Sequence, residues 1–186
     1  MVLTDREIQV AIRERQIRVD PEPGPDRYSS TSLDLTLARP IRIWDTSIQP
    51  GADPWALRPG TPGYDHNALV EKFSTRLELT DEGYLMKPRD FILAWTVERV
   101  ELPPPARLAA RVEGKSSFAR CAIAVHITAP TIHSGFKGQI QLEICNIGPL
   151  HVRLIPGVPI CQLIFEQTLG TPDKGYSGQF SGQGTI

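Results

Sequence analysis

Short runs of alternating apolar residues, cut off again and again by turn formers, constrain this chain more than anything else in it. Ser32-Leu33-Asp34-Leu35-Thr36-Leu37 alternates strictly, so it reads as a strand with three leucines on the inward face. Ile41–Trp44 reads as a second short strand. Further strand-like runs follow at 76–79, 83–87, 91–100, 108–113, 122–127, 138–145, 151–154 and 158–167. The 17 prolines and 15 glycines are spread between them, and each ends a run before it can lengthen into a helix. This spacing predicts an all-β barrel or double sheet. One helix is expected at about 5–15, where Thr4 and Glu7 have capping-box spacing and Ile8, Ala11 and Ile12 share a face. Residues 21–25 read as a turn. Residues 45–70, rich in proline and glycine, read as a long surface loop with room for a short helical turn. The tail 170–186 carries five glycines and little apolar content, so it orders only over something else. No internal repeat is present. The expectation is a single domain, 1–186, with the helix within 1–20 and a flexible tail at 170–186.

Composition narrows the partners. Net charge is −1 at pH 7 and the pI is about 6.4, which argues against duplex nucleic acid but leaves small anions open. No apolar run approaches the roughly 20 residues of a membrane helix. The start, Met1–Val10, has no apolar leader. Cys121, Cys145 and Cys161 are odd in number and form no CxxC, so a reducing cytoplasm fits better than a disulfide framework. The HxE and PCxxC motifs of zinc deaminases are absent, and the histidines at 66, 126, 133 and 151 lack ligand spacing. No zinc site is expected.

The block Arg111–Asn146 holds the chemistry. Gly114-Lys115-Ser116-Ser117 combines backbone freedom, a cation and two hydroxyls, which suits phosphate oxygens; it lacks Walker A spacing, and taken alone such a run is more often an ordinary polar turn. Arg120 follows, fit for a ligand or for a salt bridge in a strand. Glu143 shares the face of Gln139, Gln141 and Cys145, opposite Ile140, Leu142 and Ile144. On a solvated face it is inert; facing a pocket, it would be a desolvated proton carrier. His126 ends an apolar run, where histidines are usually core residues. His133 sits in a turn, open to ligand or solvent. Trp44, Trp55 and Trp95 read as packing.

Taken in order, these residues resemble the dCTP deaminase family of the trimeric dUTPase superfamily. The likeness is carried by Gly114-Lys115-Ser116-Ser117-Phe118-Ala119-Arg120, Val125-His126-Ile127-Thr128-Ala129, and Gly135-Phe136-Lys137-Gly138-Gln139-Ile140-Gln141-Leu142-Glu143-Ile144-Cys145-Asn146. It extends to Leu3–Ile8, Ser32–Leu35, Pro156-Gly157 and Ile160–Glu166. The resemblance implies a distorted dUTPase-like β-barrel or jelly roll with a short N-terminal helix, forming a homotrimer with active sites at subunit interfaces. It implies hydrolysis of dCTP to dUTP and ammonia without zinc, in the synthesis of deoxyuridine and thymidine nucleotides. Glu143 then corresponds to the base that activates water, Ser116 and Arg120 to residues that hold that water, and the Ala129 backbone to a contact with base and water. Lys115 and Ser117 correspond to triphosphate contacts, with Mg2+ carried on the triphosphate. Tyr176 and Gln179, with Lys174 shifted by a residue, resemble the family's closing tail. His126 resembles the histidine of a dTTP feedback switch.

The family pattern Ile-Asp-Pro-Gly-aromatic is here Ile132-His133-Ser134-Gly135-Phe136. The family's Asp contacts the sugar 3′-hydroxyl and, in pyrophosphatases, supports attack on the α-phosphate. Its replacement by His133 argues against dUTP pyrophosphatase activity. Thr131 departs from the pattern too. Two other readings stay open on the same fold: a pyrophosphatase or bifunctional deaminase–pyrophosphatase, and a non-catalytic trimer that senses dCTP or dTTP.

Overall fold

The computed structural model describes residues 1–45, 47 and 57–176. Helix α1 (Asp5–Arg13) is followed by β1 (Arg18–Asp20), β2 (Tyr28–Ser29) and the long β3 (Ser32–Trp44). Helix α2 (His66–Phe73) runs straight into β4 (Ser74–Glu78). Then come β5 (Tyr84–Met86), β6 (Phe91–Glu101), β7 (Leu108–Gly114) and the short helix α3 (Ser116–Arg120). The order ends with β8 (Ile123–Ala124), β9 (Thr131–Ile132), β10 (Lys137–Asn146), β11 (Val152–Leu154) and β12 (Pro159–Gln167).

The strands form a ten-stranded antiparallel sheet whose main path is β8-β10-β6-β3-β12-β7-β9, with β1 on β6, and β2 and β4 on β3; β5 and β11 pair separately. β3 makes the corner. Leu33–Thr36 pair with β12, whereas Leu37–Ile43 pair with β6 and Pro40–Trp44 with β4. Register shifts at Leu37/Ile41, Pro159/Cys161 and Gln139/Gln141 bend the strands there. The result is the expected mainly-β, curled sheet.

The two strands expected at 32–37 and 41–44 are one. Pro40, which has no N–H to give, falls inside the register shift opposite β6 and so costs that ladder nothing. Leu33, Leu35 and Leu37 are buried as expected, but Ser32, Asp34 and Thr36 on the opposite face are buried as well. Partners meet them there: Ser32 Oγ donates to Gln162 at 3.1 Å, Thr36 N–H to the Glu98 carboxylate at 2.8 Å, and Asp34 pairs with Lys115 through one of its two oxygens. In α1, Ile8 and Ala11 are buried and Ile12 packs beside them. The helix stops at Arg13 rather than 15. Thr4 is its N-cap, yet its hydroxyl donates to the Glu7 carboxylate and caps no backbone N–H.

Most other strands lie within one or two residues of expectation. The exception is 122–127, where only Ile123–Ala124 is a strand. Ala122 has φ +58 and the chain leaves the sheet at Val125. β1, β2, β9 and α3 fall outside the expected elements, and α2 overruns the loop assigned to 45–70. Trp55 lies outside the described residues.

The main core holds Leu35, Ile92, Leu142, Ile144 and Phe165, all fully buried. A second, smaller cluster of Ala38, Val70, Leu93 and Trp95 lies apart from it, with Trp44 and Phe91 packed alongside. Val70 brings α2 into this cluster. Arg42, nearly buried, fastens α2 further by pairing with Glu71 and donating to Ser74 Oγ at 3.2 Å. No helix among the described residues is long and apolar enough to cross a membrane.

Candidate active site

Along β10 the even positions Gly138–Asn146 are buried and Gln139, Gln141, Glu143 and Cys145 are half-buried. The face carrying Glu143 is therefore neither core nor open surface. In the antiparallel ladder Glu143 stands opposite Leu93, and Leu93 opposite Arg42; Cys145 stands opposite Phe91. Directly opposed residues share a face, so Glu143 borders the second, aromatic cluster. A cavity of about 420 Å³ opens here, of a size that takes a small-molecule ligand. Glu143, His126, Ala129 and His133 line it, together with Trp44, His66, Phe91 and Tyr176.

Burial raises the Glu143 carboxyl above its ordinary value of 4.5; the Ile127 backbone and the charge of His126 oppose the shift without cancelling it. A carboxylate that resists ionisation is a better proton acceptor once ionised. His126 Nδ1 is buried without a hydrogen-bond partner within the chain. His126 is thus in an irregular segment beside Glu143, not in an apolar strand.

The segment after it is pinned by β9, where Ile132 pairs with Ala110 and Thr131 with Arg111, and by Val112 N–H donating to Pro130 O at 2.8 Å. His133, next in the chain, is exposed and stacks on Tyr176, ring centroids 5.5 Å apart at 18°. Tyr176 also leans on Phe136 at 6.3 Å, and its N–H donates to Ser134 O at 3.0 Å. The tail thus lies across the 133–136 turn. Gly135 allows this: its φ is +91, and a Cβ there would sit 2.5 Å from Tyr176 N. Gly135→Ala is expected to cost about 1–2 kcal/mol and to lift the tail. Thermal melting and faster proteolytic cleavage near 171–176 would register both effects; unchanged cleavage would contradict this contact. Lys174, with His133 and Tyr176, borders a neighbouring depression of about 390 Å³.

The Gly-Lys-Ser-Ser block lies elsewhere. Ser116, Ser117 and Arg120 are exposed on α3 and do not line the cavity. Arg120 Nη1 reaches Ser116 Oγ at 3.5 Å, one helical turn away. Lys115 caps α3 and pairs with Asp34. The expected site residues therefore divide into a cavity group (Glu143, His126, Ala129, His133, Tyr176), Lys174 beside it, and an outward-facing α3 group. Gln179 lies outside the described residues. Trp44, His66 and Phe91 were not anticipated as site residues. A signal existed for His66: Asp65 caps α2, accepting from Asn67 N–H at 2.9 Å and Ala68 N–H at 3.1 Å, and its Asp-x-x-Ala-Leu-Val start is a helix signature. Among the described residues no group of three or more His, Cys, Asp or Glu could hold a metal ion.

A curled antiparallel sheet with a half-buried glutamate in a histidine- and aromatic-lined cavity defines a mainly-β protein with a cavity of small-ligand size. Residues 2–168 match the family described as DCD, dCTP deaminase-like, and the chain belongs to that family. It is 34% identical over 175 residues to a protein of Methanosphaera stadtmanae named "dCTP deaminase, dUMP-forming", covering 94% of this chain and 83% of the relative. It is 35% identical over 178 residues to a Rhodospirillum rubrum protein named "dCTP deaminase", covering 95% and 88%. The fold is shared with the crystal structure of a 2′-deoxycytidine 5′-triphosphate deaminase from Agrobacterium tumefaciens, at TM-score 0.65 and 20% identity, over 88% of this chain and 47% of that one.

Proposed function

We propose that this chain hydrolyses the 4-amino group of dCTP, with Glu143 as the proton carrier. The observation that carries the reading is the half-buried Glu143 carboxyl, raised by burial and lining the cavity with His126 and Ala129. Ionised Glu143 takes a proton from water as the water oxygen bonds to C4 of the cytosine. That proton goes to the ring nitrogen N3; the second water proton, lost from the new C4 hydroxyl, passes by way of Glu143 to the amine, and ammonia leaves as the C4 carbonyl forms. The attack places charge on the pyrimidine, which fixed donors must meet. Ser116 and Arg120 have that chemistry but face away from their own chain's cavity. We therefore assign them to the cavity of a neighbouring copy in a homotrimer, where they hold the water and the developing charge. Lys115 and Ser117 meet the triphosphate, and Lys174, Tyr176 and Gln179 close over it. Mg2+ comes with the nucleotide, held by phosphate oxygens and offsetting their charge; no zinc takes part. The reading is tested by ammonia release from dCTP set against CTP, dCDP and dCMP. Release fastest from dCTP supports it, and release from none of them refutes it.

Relatives at similar identity carry both names, one ending at dUMP. That favours a second reading, a bifunctional deaminase–pyrophosphatase. His133 in place of the family's Asp weighs against it, because an imidazole stacked on Tyr176 does not supply the missing carboxylate. His133→Asp is expected to improve dCTP turnover several-fold and to open a route to dUMP. Unchanged or slower kinetics, with dUTP as sole product, would show that His133 is not the limiting difference. Feedback by dTTP through His126 belongs to the same proposal. So does the alternative of a dCTP- or dTTP-sensing trimer, which gives no reason for a desolvated glutamate.

A further inference from the structure

We infer that Asp34 is a positioning residue: its ion pair with Lys115 fixes α3 and thereby the pose in which Ser116 and Arg120 reach a neighbouring cavity. The inference rests on the deaminase reading above. α3 has five residues, too few to hold a helix or its direction unaided. Its C-terminal side is tied by Phe118, packed on the core, and by Ile147 N–H donating to Ala122 O at 3.0 Å. Its N-terminal side hangs on Lys115. The Lys115 carbonyl accepts from Phe118 N–H and Ala119 N–H, both at 3.0 Å, so wherever Lys115 goes the first turn follows.

Lys115 in turn is held by Asp34, 81 residues earlier on β3. The sheet explains the reach. Asp34 stands opposite Gln162 on β12, and Gln162 opposite Glu113 on β7, so these three make one row across the strands. Lys115 lies just past the end of β7 and folds its side chain back over β12 to the Asp34 end of that row. The two side chains are only 24% and 12% exposed. Asp34 Oδ1 is buried with no hydrogen-bond partner within the chain. The Glu98 carboxylate is also close: Cys161, fully buried, has its thiol pushed up by burial and then by the charges of Glu98 and Asp34.

A desolvated ion pair with an unmet acceptor beside a second carboxylate adds little to stability. It is, however, directional. One donor of the ammonium goes to Asp34, which leaves the others for a ligand. The pair therefore aims both the cation and the helix behind it.

The test is a double-mutant cycle on the trimer with dCTP. Asp34→Asn keeps the shape and removes the charge. It is expected to lower the melting temperature, because Lys115 loses its counter-charge, yet to leave a folded trimer at assay temperature whose kcat/KM falls roughly 10- to 100-fold, the scale of an ångström-sized misplacement. Lys115→Gln should lose at least as much, and the double variant no more than Lys115→Gln alone, because both remove one device. Losses that multiply, or a folded Asp34→Asn within about two-fold of wild type, overturn the inference. If Asp34→Asn does not fold, Asp34→Glu takes its place and must show the same coupling. A second readout locates the defect. Mixed trimers of Asp34→Asn with Glu143→Gln should regain activity, whereas mixtures with Ser116→Ala should not, because Asp34 acts through its own chain's α3. The reverse pattern places Asp34 on the cavity side and overturns the inference. Wild type is run in the same assay; if it releases no ammonia, the deaminase reading itself fails, which a defect confined to Asp34→Asn cannot mimic.

Discussion

Glu143→Gln is expected to lower dCTP deamination by roughly 10²–10⁴-fold while dCTP affinity stays within a few-fold. The amide keeps the shape of the side chain and its place opposite Leu93 but cannot accept the water's proton. Kinetics and equilibrium dCTP binding, measured on the same preparation, check both halves. A sensor would lose neither. The substitution should also stabilise the protein, with a sign fixed by the pKa shift. Burial raises the Glu143 carboxyl above 4.5, so ionising it costs more folded than unfolded. Its contribution to stability is full below the ordinary glutamate range and is lost as pH rises through the raised value. The glutamine variant escapes that loss, so its melting temperature should exceed wild type at neutral pH and converge with it near pH 4. For the same reason the acid limb of wild-type turnover should lie above the range of an ordinary glutamate.

Mixing two inactive variants should restore activity. Glu143→Gln spoils the cavity of its own chain, and Arg120→Ala spoils only the α3 that chain offers to a neighbour. In a cyclic trimer each site pairs one chain's cavity with the next chain's α3. Random mixing at equal amounts leaves about a quarter of the sites with both halves intact, so activity should recover toward a quarter of wild type from two preparations that have almost none. No recovery after denaturation and co-refolding would place Arg120 in its own chain's site. The expectation follows from the exposure of Ser116 and Arg120 and their absence from the cavity lining.

Alternation and turn residues made the sheet legible, because a half-buried strand has to alternate and a short one has to be stopped. The face of β3 carrying Asp34 misled this logic. Polar residues at every second position predict solvent, whereas here they meet Lys115, Glu98 and Gln162 from distant strands. Glu143 could be singled out, but its environment could not. The neighbours on that face, Leu93 on β6 and Val70 on α2, lie 50 and 73 positions earlier. His66 was hidden among prolines and glycines that drowned a sound helix cap at Asp65. The division of the site into a cavity and an outward helix was not written in spacing, since α3 and Glu143 belong to one short block of sequence. Only the fold separates them.

The most direct measurement is chromatographic resolution of the products when purified wild type meets dCTP and Mg2+. The account predicts dUTP and ammonia in equal amounts, with no dUMP. An unchanged dCTP pool in the presence of demonstrated dCTP binding would contradict it.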